Sequence, residues 1–306
     1  MIDQSAVLVP GAWRHHFVAA NGARFHVAEA APESVDPTAP PRLVLLLPGY
    51  PQNWWAWRAQ LPALADAGYR AVAMDLRGTG ASDKPPTGYD MPTLAQDVLG
   101  VIRSLGANDA VVVGHGVGGA VAWTLGATAP QLVRAVVALS APYPPHLSSG
   151  VLVRAMATRS AARHVLAALV PGRTERAHTR GDGVARILTD GWADRSPDRD
   201  VVDTWTTFAR VPFAAHSAAE AVRWLARSTP RLDGRRWRAA LAEVPVPVLQ
   251  LHGSADPFLP ARRARHEAGP PSGFALIDGA GHFPAEERPE AVTRALVEWL
   301  GSLPGR

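Results

Sequence analysis

The chain contains no cysteine. That single absence excludes disulfides, thiolate metal sites, iron–sulfur clusters and a cysteine nucleophile. Lysine is almost as scarce: Lys84 stands alone among 31 basic residues, and it lies in a Pro-rich loop. Schiff-base and P-loop chemistry therefore have almost no residue to use. Long hydrophobic runs are also missing. The nearest, 151–170, is broken by Arg154, Arg159, Arg163 and His164, so no membrane span is predicted. The opening MIDQSAVLVPGAW has no basic start followed by a long apolar run. It does not read as a signal peptide, and a cytoplasmic location is expected.

What is present argues for a large globular core. Of 306 residues, 47% are hydrophobic, which excludes disorder. The 27 Gly and 28 Pro imply many turns between short elements. The formal charge of +4 is unevenly spread. Residues 151–238 hold 16 Arg against 9 acidic residues, or +7, and the rest holds 15 basic against 18 acidic, or −3. Such a basic segment suits an anionic lipid surface, an anionic ligand or partner, or simply a solvated Arg-rich face. No basic stretch interleaved with aromatics appears, so nucleic acid is not an expected partner. No metal or cofactor is expected, and no motif addresses oligomeric state.

Two strand-like runs flank Asn21-Gly22, a two-residue hairpin signal. The continuous apolar run Arg42–Leu47 (RLVLLL) reads as a strand buried on both faces. Helix-like and strand-like segments then alternate: helix Trp54–Ala67, strand Arg70–Met74, helix Thr93–Leu105, strand Ala110–Val113, helix Gly118–Ala129 and strand Val133–Ser140. Strands Val248–His252 and Phe274–Ile277 and helix Ala291–Leu300 complete the set. This alternation predicts an α/β chain with a mostly parallel, doubly wound sheet. Residues 145–240 lack a convincing strand and read as an inserted helical cap, leaving 1–144 and 241–306 as the core.

In such a sheet the ligand crevice lies beyond the C-terminal strand ends. The residues there are Pro48-Gly49-Tyr50-Pro51, Asp75-Leu76-Arg77-Gly78, Gly114-His115-Gly116-Val117-Gly118-Gly119, Gly253-Ser254-Ala255-Asp256 and Gly279-Ala280-Gly281-His282-Phe283. The segments DLRGTGASDKP, GHGVGG, GSADPFLP and GAGHFPAEERPE resemble the α/β-hydrolase fold. Within it they resemble the epoxide hydrolase and haloalkane dehalogenase branch, from about Arg42 to Leu300. The resemblance implies a strand–turn–helix elbow that presents a nucleophile, with Asp and His following in chain order. It assigns Asp256 and His282 as the acid–base pair, and the Val117 and Tyr50 amides as the oxyanion hole.

The elbow departs from the family. Where that branch carries Ser or Asp, this chain has Gly116, so no acyl- or alkyl-enzyme forms there. Glycine avoids the strain of the φ > 0 elbow, roughly 1–3 kcal/mol for other residues. Pro48 replaces the family's His in its His-Gly-x-Pro loop, and none of the four tyrosines (Tyr50, Tyr69, Tyr89, Tyr143) lies in the cap. Epoxide opening through an ester intermediate therefore lacks both nucleophile and cap donors.

The expected pocket residues are Pro51, Trp54, His115, Phe283 and Leu259. His115 also fits a residue packed under the turn. Trp55 and Trp57 are expected as pocket wall or helix packing. Trp192, Trp205, Trp224 and Trp237 are expected in cap packing. Ser140 is a weak alternative nucleophile, and Asp75 and Arg77 are expected to tie their loop. Three functions remain open at this stage. The first is a hydrolase homologue with a degenerate nucleophile that uses His282 and Asp256 as a general-base pair on a small apolar substrate. The second is an inactive protein holding an apolar ligand between core and cap. The third is a membrane-surface or partner-binding protein acting through the Arg-rich cap.

Overall fold

The computed structural model describes residues 2–33, 40–146, 158–193, 196–228, 230–266 and 272–304. The 151–157 part of the apolar stretch singled out above lies outside these residues.

The N-terminal hairpin forms as its turn residues dictate. Strands β1 (Arg14–Ala20) and β2 (Ala23–Ala30) pair antiparallel around Asn21 and Gly22, whose φ values are +45° and +73°. Strands β3 (Leu43–Leu47), β4 (Arg70–Met74), β5 (Ala110–His115), β6 (Val133–Leu139), β7 (Val248–Gly253) and β8 (Gly273–Ile277) complete one eight-stranded sheet. Its order is β1-β2-β4-β3-β5-β6-β7-β8. The β2–β4 pair is antiparallel, and every pair beyond it is parallel. All five residues of β3 are buried, as expected of a strand covered on both faces.

This order puts β5 near the centre of the sheet, so the turn after it faces the crevice. Helix α3 (Gly116–Thr128) begins directly at that turn, two residues earlier than the apolar pattern suggests. The Trp54–Ala67 segment is not one helix. It forms a 3-10 turn, Trp54–Trp57, followed by α1 (Gln60–Asp66). Asn53 causes the break, because its side chain accepts from the Trp55 amide and caps the short turn instead of continuing it. Helix α2 (Met91–Ser104) starts where Asp90 accepts from the Thr93 amide at 2.9 Å.

Between β6 and β7 the described residues form six helices and no strand. They are α4 (Arg159–Leu169), α5 (Arg173–Arg180), α6 (Gly183–Gly191), α7 (Arg199–Ala209), α8 (Ala214–Arg227) and α9 (Leu232–Ala240). Two short helices, α10 (Ala261–Ala264) and α11 (Pro284–Glu287), and the long α12 (Pro289–Ser302) follow in the C-terminal part. Among the described residues no helix is long and apolar enough to cross a membrane.

Candidate active site

Asp256 sits in the turn after β7 and His282 in the turn after β8. Parallel pairing of these strands brings the two turns together. His282 Nδ1 lies 2.9 Å from Asp256 Oδ2. Asp256 Oδ1 accepts the Phe258 and Leu259 amides at 2.8 and 2.9 Å. Burial opposes the Asp256 carboxylate, but His282, His252 and the Leu259 amide outweigh it and hold its pKa below the usual value. An ionised carboxylate can only accept, so Nδ1 of His282 carries a hydrogen, and whenever the ring is neutral Nε2 has the lone pair. Among the described residues Nε2 meets no hydrogen-bond partner. A histidine held in that tautomer has the geometry a general base needs.

The loop carrying His282 is fixed from three sides. Glu287 accepts from the Gly281, Phe283 and Ala193 amides at 2.9, 3.0 and 3.0 Å. The His282 amide donates to the Gly191 carbonyl at 2.7 Å, and the His282 carbonyl accepts from His115 Nε2 at 2.7 Å. Gly191 ends α6 and Ala193 follows it, so the helical segment is stitched directly onto the base loop.

The elbow itself is shaped by close approach. Gly116 has φ +50°, the conformation in which a β5-to-α3 turn exposes its central residue. A Cβ built on it would meet only Gly49 Cα, at 3.7 Å, an ordinary van der Waals contact, so the turn has room for a Cβ. The Gly118 amide is occupied by the Pro48 carbonyl at 3.1 Å. No backbone bond takes up the Val117 or Tyr50 amide among the described residues. Both residues line one small cavity of about 20 Å³, together with Pro48, Gln52, Arg77 and Ser217.

His115 lies beneath the turn, fully buried, with its Nδ1 unpartnered and facing Gly49. Burial lowers its pKa to about 3, so it stays neutral. Phe283 packs on His115 and His282, with ring centroids 5.5 and 5.2 Å apart. Leu259 is buried beside Asp256, and its carbonyl accepts from His252 at 2.7 Å. Pro51 borders a second cavity of about 20 Å³, with His178 and Phe208. Trp54 departs from the expected pocket wall. It is wholly buried against Trp13 and His15, and its indole donates to the Val7 carbonyl. The 3-10 turn rotates it toward the hairpin and away from the crevice.

Asp75 and Arg77 tie loops. Asp75 accepts the Trp54 and Ala81 amides and pairs with His26 at 2.7 Å, and Arg77 makes a two-pronged pair with Asp97. Ser140 has φ +47° and a buried hydroxyl with no partner, and no base is in contact with it. The tryptophans of the helical segment pack: Trp205 against Trp55 and Phe208, and Trp237 against Trp224.

Several polar residues of the site carry no motif signal. Glu286 is buried and raised by that burial. It accepts from Gln52, from Arg58 at 2.9 Å and from Trp205 Nε1 at 3.2 Å, which fastens α7 to the core. Tyr50 Oη meets His178 Nε2 of α5 at 3.1 Å, and burial lowers His178 to about 4 and raises Tyr50. His252 Nε2 lies 3.3 Å from Asp256 Oδ2. Glu286 and Glu287, four and five residues after His282, lie within the GAGHFPAEERPE segment, but nothing in the segment says which of the two would be buried in the site.

Comparison with known proteins agrees with this geometry. The family model for the alpha/beta hydrolase fold matches residues 42–289. Epoxide hydrolase A of Mycobacterium tuberculosis is 34% identical over 331 aligned positions, covering 96% of this chain and 99% of that protein. An AB hydrolase superfamily protein of Bacillus subtilis is 30% identical, covering 93% and 96%. Among solved structures, an epoxide hydrolase from an endophytic Streptomyces superposes with a TM-score of 0.79 at 27% identity, covering 96% and 97% of the two chains. Epoxide hydrolase A from Mycobacterium thermoresistibile does so with a TM-score of 0.75 at 27% identity, covering 96% and 100%. The chain belongs to the α/β hydrolase fold family and has epoxide hydrolases among its homologues.

Proposed function

We propose that this chain is an epoxide-hydrolase-like protein whose nucleophile position is taken by Gly116, and that it acts on a small apolar substrate without a covalent intermediate. Residues 145–240 serve as the cap over a core built from 1–144 and 241–306. His282 Nε2 removes a proton from water, and the resulting hydroxide attacks a substrate carbon bonded to oxygen. The Val117 and Tyr50 amides hold the developing oxyanion. The imidazolium, steadied by Asp256, returns its proton to the leaving oxygen, so the proton count closes.

The observation that carries this reading is the Asp256–His282 pair, ordered for base chemistry, beside an elbow at Gly116 where even a Cβ would meet only Gly49 Cα. The cavity lined by Val117 and Tyr50 is about 20 Å³, room for one water, and bears on the oxyanion amides; His282 is not among its lining residues.

The test compares wild type with His282→Ala and His282→Gln on panels of epoxides and aryl esters. Both variants are expected to lose roughly 10²–10⁴-fold in kcat/KM. Equal rates in wild type and His282→Ala would eliminate water activation. In Gly116→Asp, an aspartate that tolerates φ > 0 would restore a nucleophile, and a substrate-derived mass increase on the protein is expected.

A second reading draws on the same cavities. Each is about 20 Å³, too small for a substrate unless the cap shifts. This favours an inactive protein that binds an apolar ligand when the cap opens. Saturable binding of an apolar ligand with no turnover on either panel would select it.

A further inference from the structure

Helix α5 is two-faced. Its inner side buries Thr174 and His178, and His178 meets Tyr50. Its outer side exposes Arg173, Arg176 and Arg180, spaced so that they fall along one side of the helix. None of the three has an ion-pair partner among the described residues. The carboxylates around them are already engaged. Glu175 pairs with the buried Arg223 and with His216, Glu220 pairs with Arg223, and Asp182 pairs with Arg186. Among the described residues the stripe is therefore positive charge without an ion-pair partner.

Apolar side chains border it. Leu166 and Val170, four residues apart at the end of α4, are 52% and 47% exposed. The Val170 carbonyl accepts from the Arg173 amide at 3.3 Å, so the two helices meet at the head of the stripe. Phe213, just before α8, is 73% exposed, and α8 is joined to α5 by the His216–Glu175 contact at 3.2 Å. Three of the six most exposed large apolar side chains among the described residues thus lie on or beside two helices that contact α5. Phe213 also adopts φ +65°, which is rare for an aromatic residue.

We propose that this face, with Arg173, Arg176 and Arg180 flanked by Leu166, Val170 and Phe213, docks on an anionic lipid bilayer. Guanidinium groups bind phosphates two-pronged, and the apolar side chains reach below the headgroups, so a bilayer satisfies both parts of the surface. A soluble polyanion would engage the arginines and leave Phe213, Leu166 and Val170 in water. The docking does not depend on whether the Asp256–His282 pair is active. If that pair acts on apolar substrates, docking sets the His178–Tyr50 roof of the site beside the phase where such molecules dissolve.

The experiment is co-sedimentation of the full chain with phosphatidylcholine vesicles and with vesicles enriched in phosphatidylglycerol, at low and high salt. Heparin serves as a soluble polyanion, and the Tm of every variant is measured. Wild type is expected to bind the phosphatidylglycerol vesicles selectively and to be released by salt. Combined Arg173→Gln, Arg176→Gln and Arg180→Gln should lower partitioning about 100-fold, roughly fivefold per arginine. Phe213→Gly should lower it roughly tenfold without lowering Tm, because it removes an exposed ring and relieves its φ. Absence of lipid selectivity in wild type, or unchanged binding by the triple variant, overturns the proposal. Heparin binding without vesicle binding also overturns it and assigns the stripe to a soluble polyanion.

Discussion

Acidification to about pH 4 is expected to destabilise the folded chain by about 6 kcal/mol through two buried histidines, His115 and His178. Burial lowers their pKa values from 6.5 to about 3 and about 4. The sign follows from proton binding. Below about pH 6.5 the unfolded histidines take up protons that the folded ones refuse, so stability present at neutral pH is lost as pH falls. Each histidine contributes about 3 kcal/mol by about pH 4. That total rivals the whole stability of a typical domain.

Glu286 and Glu287, both raised by burial, titrate in the opposite sense and soften the loss. Variants isolate the histidine part. His115→Gln keeps a donor for the His282 carbonyl, and His178→Gln keeps a partner for Tyr50, but neither ionises. Denaturant unfolding at neutral and acid pH should show each single variant recovering about 3 kcal/mol of the acid loss, and the double variant about twice that. A double variant as acid-sensitive as wild type would show that these two histidines are not buried neutral.

The second large effect separates the glycines of the elbow. Gly118→Ala is expected to cost more than about 4 kcal/mol, whereas Gly116→Ala should cost only about 1–2 kcal/mol. At Gly118 a Cβ would lie 2.5 and 2.6 Å from the Leu47 and Pro48 carbonyl oxygens, and neither backbone can retreat from its strand end. Gly114 meets the same obstacle, because its Cβ would run into the Gly118 carbonyl. At Gly116 the space is free, and only φ +50° penalises a side chain. Equal costs at 116 and 118 in denaturant titrations would refute this distinction. The contrast also bears on chemistry. Packing forces glycine at 114 and 118 but not at 116, so glycine at 116 is not a steric necessity of the elbow.

Much of this was written in local sequence. The hairpin was legible because Asn21 and Gly22 accept φ > 0. The parallel strands were legible because runs such as Leu43–Leu47 are apolar on both faces. His282 and Asp256 were legible because they follow such strands directly. Trp54 was not, because an Asn53 cap three residues long redirects it, and nothing in the apolar period marks that turn. Glu286, Gln52, Arg58 and Trp205 were invisible for another reason. They come from three separate segments, and only the packing of α7 on the core makes a buried carboxylate out of a residue that looks like surface.

By itself, then, the sequence determined the sheet, the elbow glycines and the placing of Asp256 and His282 after neighbouring strands, because each depends on residue type at a fixed distance from a strand end. It also excluded cysteine and nearly all lysine chemistry by composition. Only the tertiary structure decided which surfaces those residues meet. It placed His178 against Tyr50, sealed the His282 loop with Gly191 and Glu287, and left Arg173, Arg176 and Arg180 in one unpaired row. Those are contacts between distant segments, and long-range packing, not local propensity, sets both their burial and their charge.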